Sequence, residues 1–130
     1  MPVIKVQDVK GVKIPAPYER TIRVLLAPDT QDIVQGMSVS HCIIAPHSQT
    51  DYHDHPGVEM MYIITGFGEC HIGEEVFPLQ PDVLMVVPPR TMHDMRNYSD
   101  ETMKLVAMFI PAETAASIYE RAEKAAQKKD

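Results

Sequence analysis

His53-Asp54-His55-Pro56-Gly57-Val58-Glu59 is the stretch of this sequence that decides the fold. Two histidines stand two residues apart, and a carboxylate follows the second one four residues later. Side chains at positions i and i+2 of a strand project to the same side, so both imidazoles can reach one metal ion. Pro56-Gly57 then predicts a turn, after which Glu59 can bring its carboxylate to the same point. A histidine pair alone is weak evidence, because surface histidines are common.

A second stretch strengthens the metal hypothesis. After an apolar run the chain reads Pro88, four residues, His93, three residues and Asn97. The first stretch, read further, gives the histidine pair, three residues, Glu59, six residues and Gly66. The two patterns together resemble the two motifs of the cupin superfamily. The first motif is matched at His53, His55, Glu59 and Gly66, and the second at Pro88, His93 and Asn97.

The resemblance implies a fold and a metal site. Cupins are all-β jelly-roll barrels, and here a C-terminal α-helix would follow the barrel. By resemblance, His53, His55, Glu59 and His93 bind one divalent metal ion per chain. Three imidazoles and a carboxylate suit Fe, Mn, Ni, Zn, Co or Cu. Four protein ligands leave open positions for water or substrate.

The implied function is a metal-dependent enzyme that acts on a small polar metabolite. Dioxygenases, decarboxylases, isomerases and lyases share this ligand set on the cupin scaffold, so the fold does not select the reaction. No residue is assigned a catalytic role beyond the metal ligands, and no organic cofactor is implied. The alternative is a non-catalytic cupin that binds or senses a small molecule.

Two positions depart from the second motif. Asp82 and Arg90 stand where the family pattern has glycines that serve turns, so the loops around this strand are expected to differ in shape. Arg90 lies three residues before His93, near the expected mouth of the barrel. It either contacts an anionic substrate or is a solvated surface arginine.

The remaining sequence predicts short strands separated by Gly and Pro. Gly11, Pro15 and Pro17 indicate a loop over residues 10–18, and the apolar run 83–87 predicts a strand covered on both faces. Strands are expected near residues 3–6, 21–26, 37–44, 50–55, 59–64, 69–72, 76–77, 83–87, 92–96 and 103–110. We therefore divide the chain into N-terminal strands and a loop at 1–34, the barrel core at 35–110 and a helix at 111–130.

The helix follows from its own pattern. Pro111 precedes a segment rich in helix-forming residues, and acidic residues lead while lysines trail. The apolar stripe is Ala115, Ile118, Tyr119, Ala122 and Ala125. We expect an amphipathic helix packed on the barrel or on a partner.

Composition limits the partners. The chain has 130 residues and a net charge of −6, with no basic run, which disfavours nucleic acids and anionic membranes. No apolar run is long enough to span a membrane. Cys42 and Cys70 match no zinc spacing and are expected to be free thiols in a cytoplasmic protein. The cupin resemblance, rather than composition, implies a homodimer formed through the strand at residues 3–6 and a small molecule as the substrate.

Four other polar side chains have ordinary expected roles. Tyr62 is out of phase with Glu59 along its strand and is expected in the core rather than as an acid–base group. His41 is expected to be a core or surface histidine, although it can also line the cavity. Asn97 is expected to order the strand after His93. Asp94 is expected to point away from the metal by alternation.

Overall fold

The computed structural model describes residues 3–127, which form nine β-strands followed by one α-helix. A short 3₁₀ helix, Val6–Asp8, precedes the first strand. The elements are β1 (Val12–Ile14), β2 (Arg20–Leu26), β3 (Ser38–Ile44), β4 (Val58–Thr65), β5 (Gly68–Ile72), β6 (Glu75–Leu79), β7 (Leu84–Val87), β8 (His93–Asn97), β9 (Met103–Ile110) and α1 (Ala115–Ala125).

Two antiparallel sheets enclose the core. One sheet has the strand order β1-β2-β3-β9-β4-β7, and the other has the order β6-β5-β8. The neighbours β3–β9, β4–β9 and β5–β8 are distant in sequence, as the crossing connections of a jelly roll require. Core residues come from both sheets, including Met61 and Leu105 from the first and Cys70 and Met95 from the second. The predicted all-β jelly-roll fold with a C-terminal helix is confirmed.

Alternation along the strands sets which side chains face the core. In β9, Met103, Leu105, Ala107 and Phe109 are buried, while the residues between them are more exposed. Period-two alternation is the signature of a sheet with one face against the core. Burying one such leucine or phenylalanine contributes roughly 1.5–3 kcal/mol.

The strand at residues 83–87 was wrongly expected to be covered on both faces. In β7, Met85 and Val87 are buried, but Leu84 and Val86 are each 50% exposed. β7 forms one edge of its sheet, and no second layer within residues 3–127 covers the outer face there. An unbroken apolar run therefore does not by itself imply burial on both faces.

Three local predictions also differ from the structure. Residues 3–6 form no strand; Val6 begins the 3₁₀ helix, and Val3 is 78% exposed. Residues 10–18, expected as a loop, contain β1, which pairs with β2 through Val12 and Ile22. Residues 50–55, expected as a strand, form none and make a single isolated bridge, His53 opposite His93.

Helix α1 packs on the sandwich along the predicted stripe. Ala115, Ile118, Ala122 and Ala125 are buried, and the Tyr119 hydroxyl accepts a 2.7 Å hydrogen bond from the backbone N–H of Val24. The packing role expected for this helix is confirmed. Within residues 3–127, no helix has the length and apolar character needed to cross a membrane.

Candidate metal centre

Four predicted ligands arise from three separate pieces of backbone. His53 and His93 exchange backbone hydrogen bonds of 3.1 and 2.8 Å, which fixes the extended segment against the start of β8. Gly57 then lets the turn approach β9 closely, because a Cβ atom there would lie 2.8 Å from the carbonyl oxygen of Ile110. The turn delivers Glu59 to a buried position on β4.

The side chains of His53, His55, Glu59 and His93 converge. Each offers one ligand atom, and these four atoms all lie within 4.8 Å of one another. The Nε2 atoms of His55 and His93 lie 2.8 and 3.0 Å from the same Glu59 oxygen, Oε1. Two donors bound to one ion at about 2.1 Å are about 3 Å apart when they meet at a right angle. The spacing therefore fits a shared ion.

Backbone carbonyl groups orient all three imidazoles. The Nδ1 atoms of His53, His55 and His93 lie 2.9, 3.3 and 2.8 Å from the carbonyl oxygens of residues 51, 57 and 91, respectively. A carbonyl oxygen only accepts a hydrogen bond, so each Nδ1 must carry the proton. In the neutral ring the lone pair then resides on Nε2, the atom that a metal binds.

Electrostatics at the cluster favour a cation. Burial alone would raise the pKa of the Glu59 carboxyl, but hydrogen bonds from His55 and His93 and their charge lower it to about 2. Burial opposes protonation of His93, yet the hydrogen bond to Glu59 and its negative charge raise the His93 pKa. A carboxylate facing Nε2 lone pairs is repelled unless protons or a metal ion lie between them. The donor set therefore fits a divalent metal.

An inner cavity of about 80 Å³ adjoins the cluster. Glu59, His53 and His93 form part of its wall, and apolar side chains from both sheets and α1 form most of the remainder. Five further polar side chains line it: Arg20, Ser40, Thr50, Asp51 and Arg121. The centre therefore faces a small, mostly apolar chamber with a few fixed polar groups, as small-molecule sites commonly do.

A wider depression lies outside this chamber. It has a volume of about 550 Å³ and lies between residues 51–54 and the face of α1 that carries Ser117, Glu120 and Lys124. Asp51, His53 and Arg121 line both spaces. The two spaces therefore adjoin each other where α1 lies beside the segment that carries the first histidine.

Three residues that line the cavity were not predicted as site residues from the sequence. Arg20 has the same phase along β2 as the buried Ile22 and Val24, and this charged residue at an inward position was the available signal. Asp51 precedes His53 by two residues in the same extended segment. Arg121 lies beside the apolar stripe of α1, three residues after Ile118. Their convergence required the tertiary structure.

The two departures from the second motif keep a glycine-like backbone. Asp82 and Arg90 have φ angles of 68° and 55°, in the left-handed region that glycine adopts most easily. Gly66 of the first motif has a φ of 100°. The Arg90 side chain is exposed and lines neither space described above, so the structure favours the solvated role over substrate contact.

The structure also shows where the four polar side chains with other expected roles lie. Tyr62 was wrongly expected in the core: it is 40% exposed on the outer face of β4, where it donates a hydrogen bond to Asp82. Asn97 orders the chain as expected, because its amide donates to the carbonyls of residues 44, 45 and 101. Asp94 points away from the cluster and contacts His71. His41, expected in the core or at the surface, is buried and lies outside the cavity wall.

Comparison with known proteins agrees with this description. The family model for the cupin domain matches residues 40–109, which is more than half of the chain. L-ectoine synthase of Aliivibrio fischeri (strain ATCC 700601 / ES114) is 28% identical over 101 residues, covering 77% of this chain and 76% of that protein. Polyketide synthase CurC of Streptomyces cyaneus is 30% identical over 108 residues, covering 82% and 70%.

Solved structures share the fold. The crystal structure of ectoine synthase from P. lautus superposes with a TM-score of 0.75 at 22% identity, covering 95% of this chain and 87% of that one. At this level of identity the likeness establishes the architecture alone. Together with the matched family model, it shows that the chain belongs to the cupin family.

Proposed function

We propose that His53, His55, Glu59 and His93 bind one divalent transition-metal ion and that the chain is a metal-dependent enzyme acting on a small polar metabolite. The observation that carries the proposal is the set of three Nδ1 contacts to backbone carbonyls, which direct all three Nε2 atoms inward beside a buried carboxylate. Fe, Mn, Ni, Zn, Co and Cu are the candidate ions for this donor set.

The residues around the cluster define what the site can do. A bound divalent ion would supply Lewis-acid or redox chemistry at a substrate oxygen. The apolar walls, including Met61, Leu105 and Phe109, limit the water around that oxygen and strengthen electrostatic interactions there. Asp51 lies at the boundary between the chamber and the outer depression, where its backbone carbonyl holds the His53 ring in place.

The relatives support an enzyme over a non-catalytic binding module. Both curated relatives described above are named as synthases. The two names refer to different reactions. They therefore support the proposal of an enzyme that acts on small molecules, but they do not select a particular reaction. Dioxygenase, decarboxylase, isomerase and lyase chemistry all remain within the proposal.

The direct test is elemental analysis of tag-free protein after reconstitution with each candidate metal. We expect about one ion per chain in the wild type. We expect Glu59→Gln to weaken metal binding by more than about a hundredfold, because it removes the anionic ligand at the centre. His47→Ala is the matched control, since His47 is exposed and contacts Asp100 rather than the cluster. Absence of metal in the wild type would contradict the proposal and favour the binding module.

The same proposal includes a homodimer and a cytoplasmic location. Cys42 and Cys70 are both free and buried, which suits a reducing compartment. The expected dimer strand at residues 3–6 is not formed, but the outer face of β4 and β7 exposes apolar side chains suited to an interface: Tyr62, Ile64, Leu84 and Val86. We therefore transfer the proposed dimer contact to that face.

A further inference from the structure

Arg20 is a buried cation with an unused donor. The residue is 6% exposed and lines the same inner cavity as Glu59 and His93. Its Nη2 atom reaches Asp51 Oδ1 at 3.5 Å, the outer limit of a hydrogen bond. Its Nη1 atom is buried and has no hydrogen-bond partner within residues 3–127. Buried donors are nearly always paired, so an unpaired one on a residue that lines a cavity points to a ligand.

A second orphaned group lies in the same wall. Ser40 is 2% exposed, and its hydroxyl has no hydrogen-bond partner in the part of the chain that the structure describes. Ser40 lies two residues before Cys42 on β3, and both line the chamber. Two residues of the cavity wall therefore carry a polar group without a hydrogen-bond partner among the described residues.

The charge of the cavity wall favours an anion once a metal is bound. Arg20 and Arg121 balance Asp51 and Glu59, and a divalent ion leaves the wall positive. Arg121 is already engaged, since it pairs with Glu113 and stacks 5.4 Å above the Phe109 ring. Arg20 is therefore the cation with free capacity.

We propose that Arg20 binds a carboxylate of the substrate, while another oxygen of the same molecule reaches the metal position. The substrate would then be a small carboxylate, and the Ser40 hydroxyl would meet a further polar group. A guanidinium presents its N–H groups in a planar fork that matches a carboxylate, which makes it more selective than a point charge. This inference rests on the proposed function for the second contact but not for the Arg20 contact itself.

The test uses malonate as the probe and malonamate, its half-amide, as the comparison. Calorimetric affinities would be measured on Zn²⁺-loaded wild type, Arg20→Gln and Arg90→Gln, with metal content measured on every sample. We expect Arg20→Gln to weaken malonate binding roughly tenfold to a hundredfold, the range for one hydrogen bond to a charged group. We expect Arg90→Gln, at an exposed arginine outside the cavity, to match the wild type. Equal malonate affinity in all three proteins would overturn the proposal.

Arg20→Gln removes a cation that pairs with the buried Asp51, so the variant can fail to fold. The double variant Arg20→Gln/Asp51→Asn removes both charges and repeats the measurement. A crystal structure of the wild type with malonate provides an independent readout. A carboxylate oxygen within hydrogen-bond distance of Arg20 Nη1 supports the subsite, whereas malonate bound away from Arg20 overturns it.

The experiment separates this inference from the metal proposal. Arg20-dependent malonate binding in protein that takes up no metal would support the subsite while the proposed function fails. Metal bound at the four ligands with no dependence of malonate affinity on Arg20 would overturn the subsite alone.

Discussion

At the scale of single residues, backbone groups position the candidate metal ligands. Three carbonyl oxygens fix the imidazole tautomers, and one glycine allows the turn between His55 and Glu59. The histidine and glutamate positions could be predicted from sequence because ligand identity and spacing are local. The carbonyl contacts could not, since they depend on ring orientations that the sequence does not state.

Gly57→Ala should disturb both folding and metal binding. The added Cβ would lie 2.8 Å from the carbonyl oxygen of Ile110, so the turn must move, and the Gly57 carbonyl that orients His55 moves with it. We expect a loss of about 1–3 kcal/mol in unfolding free energy, typical of overpacking, together with weaker metal affinity. Thermal unfolding of metal-free protein and calorimetric metal titration would measure the two effects.

Gly36→Ala is the control for that change. Gly36 is exposed, and a Cβ there meets nothing within 4 Å. The metal affinity of Gly36→Ala should match that of the wild type. Its unfolding free energy should match the wild type or be slightly higher. If Gly57→Ala behaves the same way, the close approach to Ile110 is not important.

Arg90 carries backbone strain that a glycine would relieve. Its φ of 55° lies in the left-handed region, which costs a non-glycine residue roughly 1–2 kcal/mol. Glycine regains that energy but loses about 0.5–1 kcal/mol through the entropy of the unfolded chain. We expect Arg90→Gly to be about 1 kcal/mol more stable than Arg90→Ala in urea unfolding. Equal stability of the two variants would show that the strain is negligible.

At the scale of elements, α1 was predictable and its attachment was not. The apolar stripe is a local periodicity, and it matches the buried face of the helix. The attachment depends on residues far away in sequence. The Asp29 carboxylate accepts hydrogen bonds from the backbone N–H groups of Ala115 and Ala116, while Thr114 caps the helix from its own side. These contacts fix the start of the helix that forms one side of the outer depression.

Asp29→Ala should weaken the start of α1. Removing a carboxylate that satisfies two N-terminal N–H groups costs about 1 kcal/mol, the usual effect of losing a cap. Chemical unfolding at pH 7 would measure the loss. Asp32→Ala is the matched control, because Asp32 is an exposed acid in the same loop. Equal losses in the two variants would argue against a role for Asp29 at the helix.

The same contact predicts a pH dependence. The hydrogen bond from the Ala115 N–H lowers the pKa of Asp29 below its ordinary value of 3.8; burial opposes this shift, and the hydrogen bond from Ala116 adds to it. The folded state therefore releases the proton more readily than the unfolded state. The stabilisation is present above pH 3.8 and is lost as the pH falls through the lower pKa of the folded protein. The stability difference between wild type and Asp29→Ala should shrink below that pH.

At the scale of the whole molecule, the outer face of β4 and β7 is an exposed apolar surface. Leu84 and Val86 are half exposed there, and they lie on an edge strand beside β4. A dimer with two-fold symmetry would bury the same patch on both copies of the chain. We expect wild-type protein to sediment as a dimer and Leu84→Glu to sediment as a monomer, because the change buries unpaired charge in the interface.

A matched variant on the other sheet checks that contact. Phe77 on β6 is 41% exposed, so Phe77→Glu makes the same kind of change outside the proposed interface. It should remain dimeric. A dimer that survives Leu84→Glu, or a monomeric wild type, would contradict the proposed interface.

The sequence by itself determined the fold class, the four candidate ligands and the helix. The fold class and the ligands followed from the resemblance of the paired motifs around His53 and His93 to those of cupins, and the helix followed from a stripe that repeats with a helical period. Only the tertiary structure decided what surrounds the ligands. Arg20 meets Asp51 from 31 residues away, and Arg121 reaches the same chamber from α1. Such contacts arise where strands and helix pack together, and no local spacing in the chain specifies them.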